Sequence, residues 1–548
     1  MKIDTQWPQH FYLIAGRTSA QEEKGDISPQ GMGAKAYNLR EMANLGLPVP
    51  PALVIGTTYT ANPDACLPLL ATHGMPALEV AAGGIFGDER RPLLVSVRSG
   101  APVSMPGMLE TLLNVGLCDR TVSGLLRQTG NPRMVWDAYR RLVATFGSVV
   151  AGIPAAHFER LTEDVAQGRD ERQLDFSEHR ALVRSYLDCF LSCTGQDFPQ
   201  EPQAQLHQAV LAVFRSWHQA KAQAYRKMHG LDDGMGTAVM VQQMVFGNAG
   251  LRSGAGVGFT RNPVTGVPGL WFDYLRNAQG EDVVGGRRRA LGQEAGMPPE
   301  CLTQLEEAAR LLERHFQDMQ DLEFTVEEGC LYLLQTRAGK RSGIARARIA
   351  LDLQEEGVID RDAALAQTRD LTAGELSHTR LAVKDAPAMQ VLARATPASA
   401  GVVSAEVVLD ADSARRRAAA GAMVVLVRAD AETDDIEGLQ VAAGLLTCRG
   451  ARTSHAAVVA RQLGKVCLVG CETMQVDLAL RELRFGNQVI AEGAYLTLDA
   501  EGGQVISGVA ELVEEPDLQL LSRLQALRLG AEDAGEGCIR VAGWARVD

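Results

Sequence analysis

Apolar and polar positions along the chain fall into stretches of different texture. Residues 1–115 are rich in Gly and Pro and carry short apolar runs such as Leu93-Leu94-Val95-Ser96-Val97, a pattern that predicts strands. Between about 120 and 230 the spacing changes: Leu206, Val210, Val213, Phe214 and Trp217 recur on one face of a predicted helix. From Gly236 to Arg341 strands return with many glycines between them, and the run Val239–Val245 is apolar enough to wall a flat ring. Ala345 to Leu381 reads as a charged helical connector around the apolar segment Ile349–Leu353. The last globular unit, Met389 to Pro516, predicts strands at Ala422–Val427, Val441–Leu446, Val466–Gly470 and Gln488–Ala491, alternating with helices or turns. A helix is expected over Leu518–Leu529, followed by residues without an obvious core. The expected divisions are 1–115, 116–235, 236–341, 342–388, 389–516 and 517–548.

Length supports this division, because 548 residues exceed one ordinary hydrophobic core. The longest unbroken apolar runs fall far short of the ~20 residues of a bilayer span. Met1-Lys2-Ile3-Asp4 opens without an apolar signal core. The expectation is therefore a cytoplasmic protein with no membrane partner. A net charge of −13 argues against a nucleic-acid partner, since phosphate backbones favour clustered cations. Arg287–Arg289 and Arg415–Arg417 read as solvated faces. The ten cysteines read as small buried hydrophobes, because the CxxxC spacings at Cys189/Cys193 and Cys467/Cys471 are not those of a zinc knuckle.

Four segments suit phosphate or metal chemistry. Gly31-Met32-Gly33-Ala34-Lys35 combines small residues, which let a backbone approach closely, with a lysine that can neutralise phosphate. The absence of Gly-Lys-Ser/Thr excludes a standard P-loop. In Ser96-Val97-Arg98-Ser99-Gly100 a strand delivers Arg98 at its end, and the turn around Gly107 follows with free N–H groups. Phe246–Pro263 is dense in glycine, which reads either as a flexible loop closing over phosphates or as a plain hairpin. In Asp321-Leu322-Glu323 and Gln335-Thr336-Arg337, alternation puts the two acids on one face of a strand, and Gln335 and Arg337 on one face of the next. Such oxygens suit Mg²⁺ and the arginine suits phosphates, although an exposed charged hairpin would look alike.

Thr447–Gly464 (TCRGARTSHAAVVARQLG) carries a different chemistry. Thr453 and Ser454 are good N-caps and Ala456–Arg461 is a helix-forming run, so His455 falls in a helix's first turn. Free N–H groups and the positive end of the helix dipole favour a phosphorylated imidazole there, and Arg452 adds charge, with Arg449 a further candidate. A neutral imidazole is itself a competent nucleophile.

Gly31–Pro51, Val95–Gly116, Gly236–Pro263, Asn277–Asp282 and Asp318–Arg341 together closely resemble the nucleotide-binding region of the pyruvate phosphate dikinase family. TSHAAVVAR resembles the segment whose histidine carries phosphate between two sites in that family. The order and spacing fit over residues 25–515. The resemblance implies a multidomain α/β protein, with an ATP-grasp-like nucleotide-binding domain joined to a swivelling α/β phosphohistidine domain. It implies ATP as substrate, inorganic phosphate as cosubstrate and Mg²⁺ as cofactor. Lys35, Arg98 and Arg337 would hold phosphates, and Glu323 and Gln335 the magnesium. Gly107 would lie near the γ-phosphate, Gln242 and Met244 near the adenine, and Arg452, Thr453 and Ser454 around the carrier His455. Three cations gathered from distant segments would let an acidic protein bind ATP. One departure stands out: the family's Gly-Gly-Met-Thr-Ser-His reads Gly450-Ala451-Arg452-Thr453-Ser454-His455 here.

The family's TIM barrel for pyruvate or phosphoenolpyruvate needs about 250 residues, and some 30 follow the histidine unit. The expected acceptor is accordingly either pyruvate on a separate barrel protein or another small molecule or protein. A homodimer is a further expectation, and an ATP-sensing protein that kept the fold is the alternative function.

Overall fold

The structure, a computed structural model, describes residues 7–16, 24–103, 105, 109–169, 171–284, 296–382, 390–430, 435–450, 452 and 454–529. The first sheet is antiparallel, in the order Phe11–Ile14, Ala52–Ile55, Ala238–Gln243, Val95–Gly100, Thr111–Val115. Its middle strand, Ala238–Gln243, arrives only after the whole helical stretch, so the boundary expected at 236 separates a strand from its own sheet. The physical reason is burial on both faces. Val239 and Val241 enter the core built with the helices Pro132–Val149, Phe176–Thr194 and Pro202–Ser216, while Ala238 and Met240 enter a second core on the other side. A strand buried on both faces reads as a continuous apolar run.

The helical run Pro63–Ala82 is long and apolar enough to cross a membrane by length and mean composition, although Asp64, Thr72, His73 and Glu79 interrupt it. Here Cys66, Leu70, Met75 and Leu78 pack into the first core instead.

The second sheet, also antiparallel, has the order Cys330–Ala338, Gln320–Glu327, Gly254–Arg261, Pro268–Arg276. One face shares the second core with helices Ala34–Asn44 and Pro299–Phe316. The glycines of its third strand serve this packing. A Cβ on Gly256 would lie 2.2 Å from the Phe324 ring, and one on Gly258 would lie 2.4 Å from Phe272 Cβ. The segment divides: Gly254, Gly256 and Gly258 lie in a strand of a hairpin and face aromatic rings, while residues 246–253, with Gly247 and Gly250, are loop.

The connector holds helices Gly343–Glu355 and Arg361–Thr368, against which the last helix, Leu518–Leu529, returns to bury Leu520, Leu524 and Leu527. The connector is not wholly helical, because Ser377–Leu381 pairs with Leu512–Pro516. The expected boundary at 388/389 lies outside the described residues.

The remaining unit is a mixed sheet in which Val402–Val408, Val424–Arg428, Gly444–Thr447 and Val466–Val469 run parallel. The expected strand Val441–Leu446 is in fact the end of a helix, Ile436–Val441, followed by Gly444–Thr447. Apolar residues at a helix end and in a short buried strand cannot be told apart by period. Gln488–Ala491 is a strand, in a small separate sheet.

Candidate active site

A cleft forms where the first two sheets meet the start of helix Ala34–Asn44. Gly33 creates it: with φ +77, its missing Cβ would sit 1.9 Å from the Gly100 oxygen. Ala34 N–H donates to the Ala101 oxygen at 3.0 Å. This close approach, which only glycine permits, sets Lys35 beside the end of the strand that carries Arg98. On the opposite wall Asn38 Nδ2 donates to the Thr336 oxygen at 2.8 Å, tying the helix to the strand that carries Gln335 and Arg337.

Lys35, Arg98, Glu323, Gln335 and Arg337 line one cavity of about 150 Å³, with Asn38, Ser99 and Met105 among its other walls. That is below the ~300 Å³ of a typical small-molecule pocket and suits phosphate groups rather than a whole nucleotide. Arg98 Nη2 lies 3.5 Å from Glu323 Oε2, and its Nη1 donates to Gln242 Oε1 at 3.4 Å. Gln335 Nε2 donates to Glu323 Oε1 at 3.3 Å, and Arg337 Nε to Asp321 Oδ2 at 2.7 Å. Burial, then Arg98 and Arg337, lower the pKa of Lys35 to about 8, with Glu323 pulling the other way. Burial alone would lower that of Arg337, but Asp321 and Glu323 outweigh it and raise it. Positive charge is thus crowded here ahead of any anion.

Not every expected residue lines the cavity. Gln242, 2% exposed, orients Arg98 and donates weakly to the Pro50 oxygen. Met244 packs beside the first core, and its N–H donates to Leu94. Gly107 and Thr453 lie outside the described residues, and so does Ala451.

The strand Gly444–Thr447 leads into the helix His455–Gln462. Ser454 is its N-cap and accepts from Ala457 N–H at 3.4 Å, so His455 takes the first helical position. Arg449 lines a different cavity of about 440 Å³, with Arg133, Asp137, Arg141 and Asp282. Arg452 reaches the second sheet instead. Its Nη2 is 3.0 Å from Asp273 Oδ1, and its guanidinium lies 4.4 Å from the Trp271 ring centre.

Residues 79–290 and 289–357 match the family described as pyruvate phosphate dikinase, AMP/ATP-binding domain. Residues 421–503 match the PEP-utilising enzyme, mobile domain. The chain belongs to the pyruvate phosphate dikinase family. Pyruvate, phosphate dikinase 2 of Oryza sativa subsp. japonica is 41% identical over 515 residues, covering 91% of this chain and 57% of its own length. Pyruvate, phosphate dikinase of Clostridium symbiosum is 40% identical over 512 residues, 90% of this chain and 58% of its own. Pyruvate, phosphate dikinase 2 of Zea mays is 42% identical over 510 residues, 91% and 57%. The chain therefore spans just over half the length of these relatives.

Membership accounts for the multidomain α/β architecture and its order of an ATP-binding region before a mobile one. The donors present fit the magnesium such a protein implies. Glu323 and Gln335 are directly opposite on paired strands, and their carboxylate and amide oxygens would be hard ligands for it. Three residues were missed in the sequence: Asp273 and Trp271, which receive Arg452, and Arg461, which lies over the Phe259 and Trp271 rings at 5.3 Å each. The only sequence signal for them was an acid within an otherwise apolar strand.

Proposed function

We propose that this chain transfers a phosphoryl group from ATP to His455 and then hands it to an acceptor. In the first step the imidazole nitrogen forms a bond to the β-phosphorus. The bond from that phosphorus to the α–β bridging oxygen breaks, and AMP leaves. An inorganic phosphate oxygen then attacks the γ-phosphorus of the histidine-bound diphosphoryl group. The bond from the γ-phosphorus to the β–γ bridging oxygen breaks, diphosphate leaves, and the β-phosphoryl stays on the histidine. The imidazole N–H proton is released to solvent. In the second step phosphohistidine gives its phosphoryl group to pyruvate on a barrel domain or to another acceptor, restoring neutral His455.

One observation carries this reading. Three cations from segments far apart in sequence, Lys35, Arg98 and Arg337, line one small cavity with Glu323 and Gln335. Lys35 and the two guanidiniums would neutralise the triphosphate and hold it in line, which is most of what phosphoryl transfer asks of a protein. Magnesium held by Glu323 and Gln335 would supply further charge neutralisation on the phosphates. Asp321 keeps Arg337 aimed, Gln242 keeps Arg98 aimed, and the Ser454 cap sets the helix that presents His455.

Incubation with ATP labelled at either the β or the γ position, with Mg²⁺ and phosphate, tests the reading. The expected result is β label on His455, with AMP and γ-labelled diphosphate released. His455→Asn should bind nucleotide and take no label. Nucleotide binding without AMP or labelled histidine would favour an ATP-sensing protein and defeat the proposal.

A further inference from the structure

The second sheet carries two rows of residues across one face. Strand pairing sets Arg337, Asp321, Phe259 and Trp271 in one row, and Gln335, Glu323, Val257 and Asp273 in the next. Directly opposed residues share a face, as do residues two apart on a strand. The cleft residues therefore stand at one edge of this face, and Trp271 and Asp273 stand at the other. Three strand spacings, about 14 Å, separate the two edges.

The phosphohistidine unit rests on the far edge through Arg452. Its Nε and Nη2 both donate to Asp273 Oδ1, at 3.3 and 3.0 Å, and Nη2 also reaches the Phe272 oxygen at 3.4 Å. Its guanidinium stacks over Trp271. Asp273 is 3% exposed, so solvent does little to screen this pair. Arg461 Nη2 donates to the Arg452 oxygen at 2.8 Å, folding the Arg452 backbone against the helix that His455 opens. Arg452 is three residues from His455, at most about 10 Å of chain. Where the family places methionine, this chain has a cation that can answer either to Asp273 or to a charge on the histidine.

Resting on the carrier role of His455 proposed above, we propose that Arg452 is a phosphorylation-sensitive latch. It holds the phosphohistidine unit on the Trp271–Asp273 edge while His455 is unmodified, and it lets go once His455 carries phosphate. A phosphoryl group on His455 would add about two negative charges and several strong acceptors within three residues of Arg452. It would compete with Asp273 for the guanidinium. The same event that charges the carrier thereby weakens its hold on the nucleotide half. Arg452 is a positioning residue in this scheme.

Hydrogen exchange of the full chain, read on peptides from Pro268–Arg276, tests the latch. Among the described residues this strand is at the edge of its sheet, so its outward amides depend on cover rather than on a described ladder. The unmodified protein should protect these amides. Arg452→Met, which installs the family's residue, should exchange them at least tenfold faster, and Asp273→Asn should do the same. Arg452→Asp combined with Asp273→Arg should restore protection, an outcome that a purely structural loss would not give. Phosphorylation should match Arg452→Met, whether from ATP, Mg²⁺ and phosphate or chemically from phosphoramidate, with His455→Asn as the control that stays protected. If ATP leaves His455 unmodified yet phosphoramidate opens the edge, the latch stands and the ATP reading falls. If phosphohistidine forms and protection is unchanged, or Arg452→Met leaves exchange unaltered, the latch is overturned.

Discussion

If Lys35 holds phosphate as proposed, nucleotide affinity should depend on pH in a way that can be worked out from its surroundings. Without ligand, burial and then Arg98 and Arg337 lower its pKa from the ordinary 10.5 to about 8, while Glu323 pulls upward. Phosphates entering the cavity reverse the local field and favour the ammonium, so the bound pKa lies above the free one. The gain from Lys35 is then complete below about pH 8 and is lost as pH rises from 8 toward the bound value. A full return to 10.5 would be worth roughly 300-fold in affinity, about 3.4 kcal/mol at 1.36 kcal/mol per unit. Lys35 is partly exposed to the cleft, and solvent screening reduces this figure. A loss of about tenfold between pH 8 and 9.5 is the expected size. Calorimetric titration with ATP in buffers of different ionisation enthalpy should show roughly three quarters of a proton taken up at pH 8.5 and about a tenth at pH 7. Lys35→Met should bind more weakly and remove that difference, which separates Lys35 from the titration of ATP itself. Uptake that is flat with pH, or equally steep in Lys35→Met, would refute the electrostatic reading of the cleft.

Three further outcomes follow from the packing. Gly33→Ala puts a Cβ 1.9 Å from the Gly100 oxygen at φ +77, and should weaken ATP binding at least tenfold in titration calorimetry by pushing Lys35 away from Arg98. Gly256→Ala drives a methyl into the Phe324 ring and should cost about 1–3 kcal/mol in denaturant unfolding, less in a Phe324→Leu background. Burial pushes the thiols of Cys66 and Cys467 up to about 12, so a disulfide reagent at pH 8 should modify exposed Cys193 and Cys330 first, as peptide mapping would reveal.

Much of the cleft could be read from local patterns, because each of its segments carries its own signal. Alternation alone put Glu323 and Gln335 on faces that the strand register then set opposite each other. The helix cap was equally legible: a serine before an alanine-rich run predicts the start at His455 that is found. What failed was anything settled by distant packing. Ala238–Gln243 gives no local hint that its sheet partners lie at residues 52–55 and 95–100, because a doubly buried strand looks the same in any sheet. The glycines of the third strand were ambiguous for a similar reason. Their use depends on Phe324, Phe272 and Tyr274, whose rings approach from other strands. Met244 and Gln242 share a strand run whose alternation could not say which side chain reaches the cleft.

In the proposed scheme, the strand register would relate the hold on the phosphohistidine unit to the cationic cleft. A carrier must approach the nucleotide closely, yet any contact that holds it there opposes its departure. Contacts made by the imidazole itself would compete with the chemistry. Here the hold is placed instead about three strand spacings away, on the same sheet face, through Arg452 and Asp273. The sheet is rigid enough to relate the two edges, so grip at one edge sets position at the other. Arg461 reinforces the arrangement, since it lies over Phe259 and Trp271 and also acts electrostatically on Asp321, the partner of Arg337. In the proposed latch, grip and chemistry would be coupled through charge rather than through shared atoms. A change of charge on the carrier would then release it without dismantling the cleft.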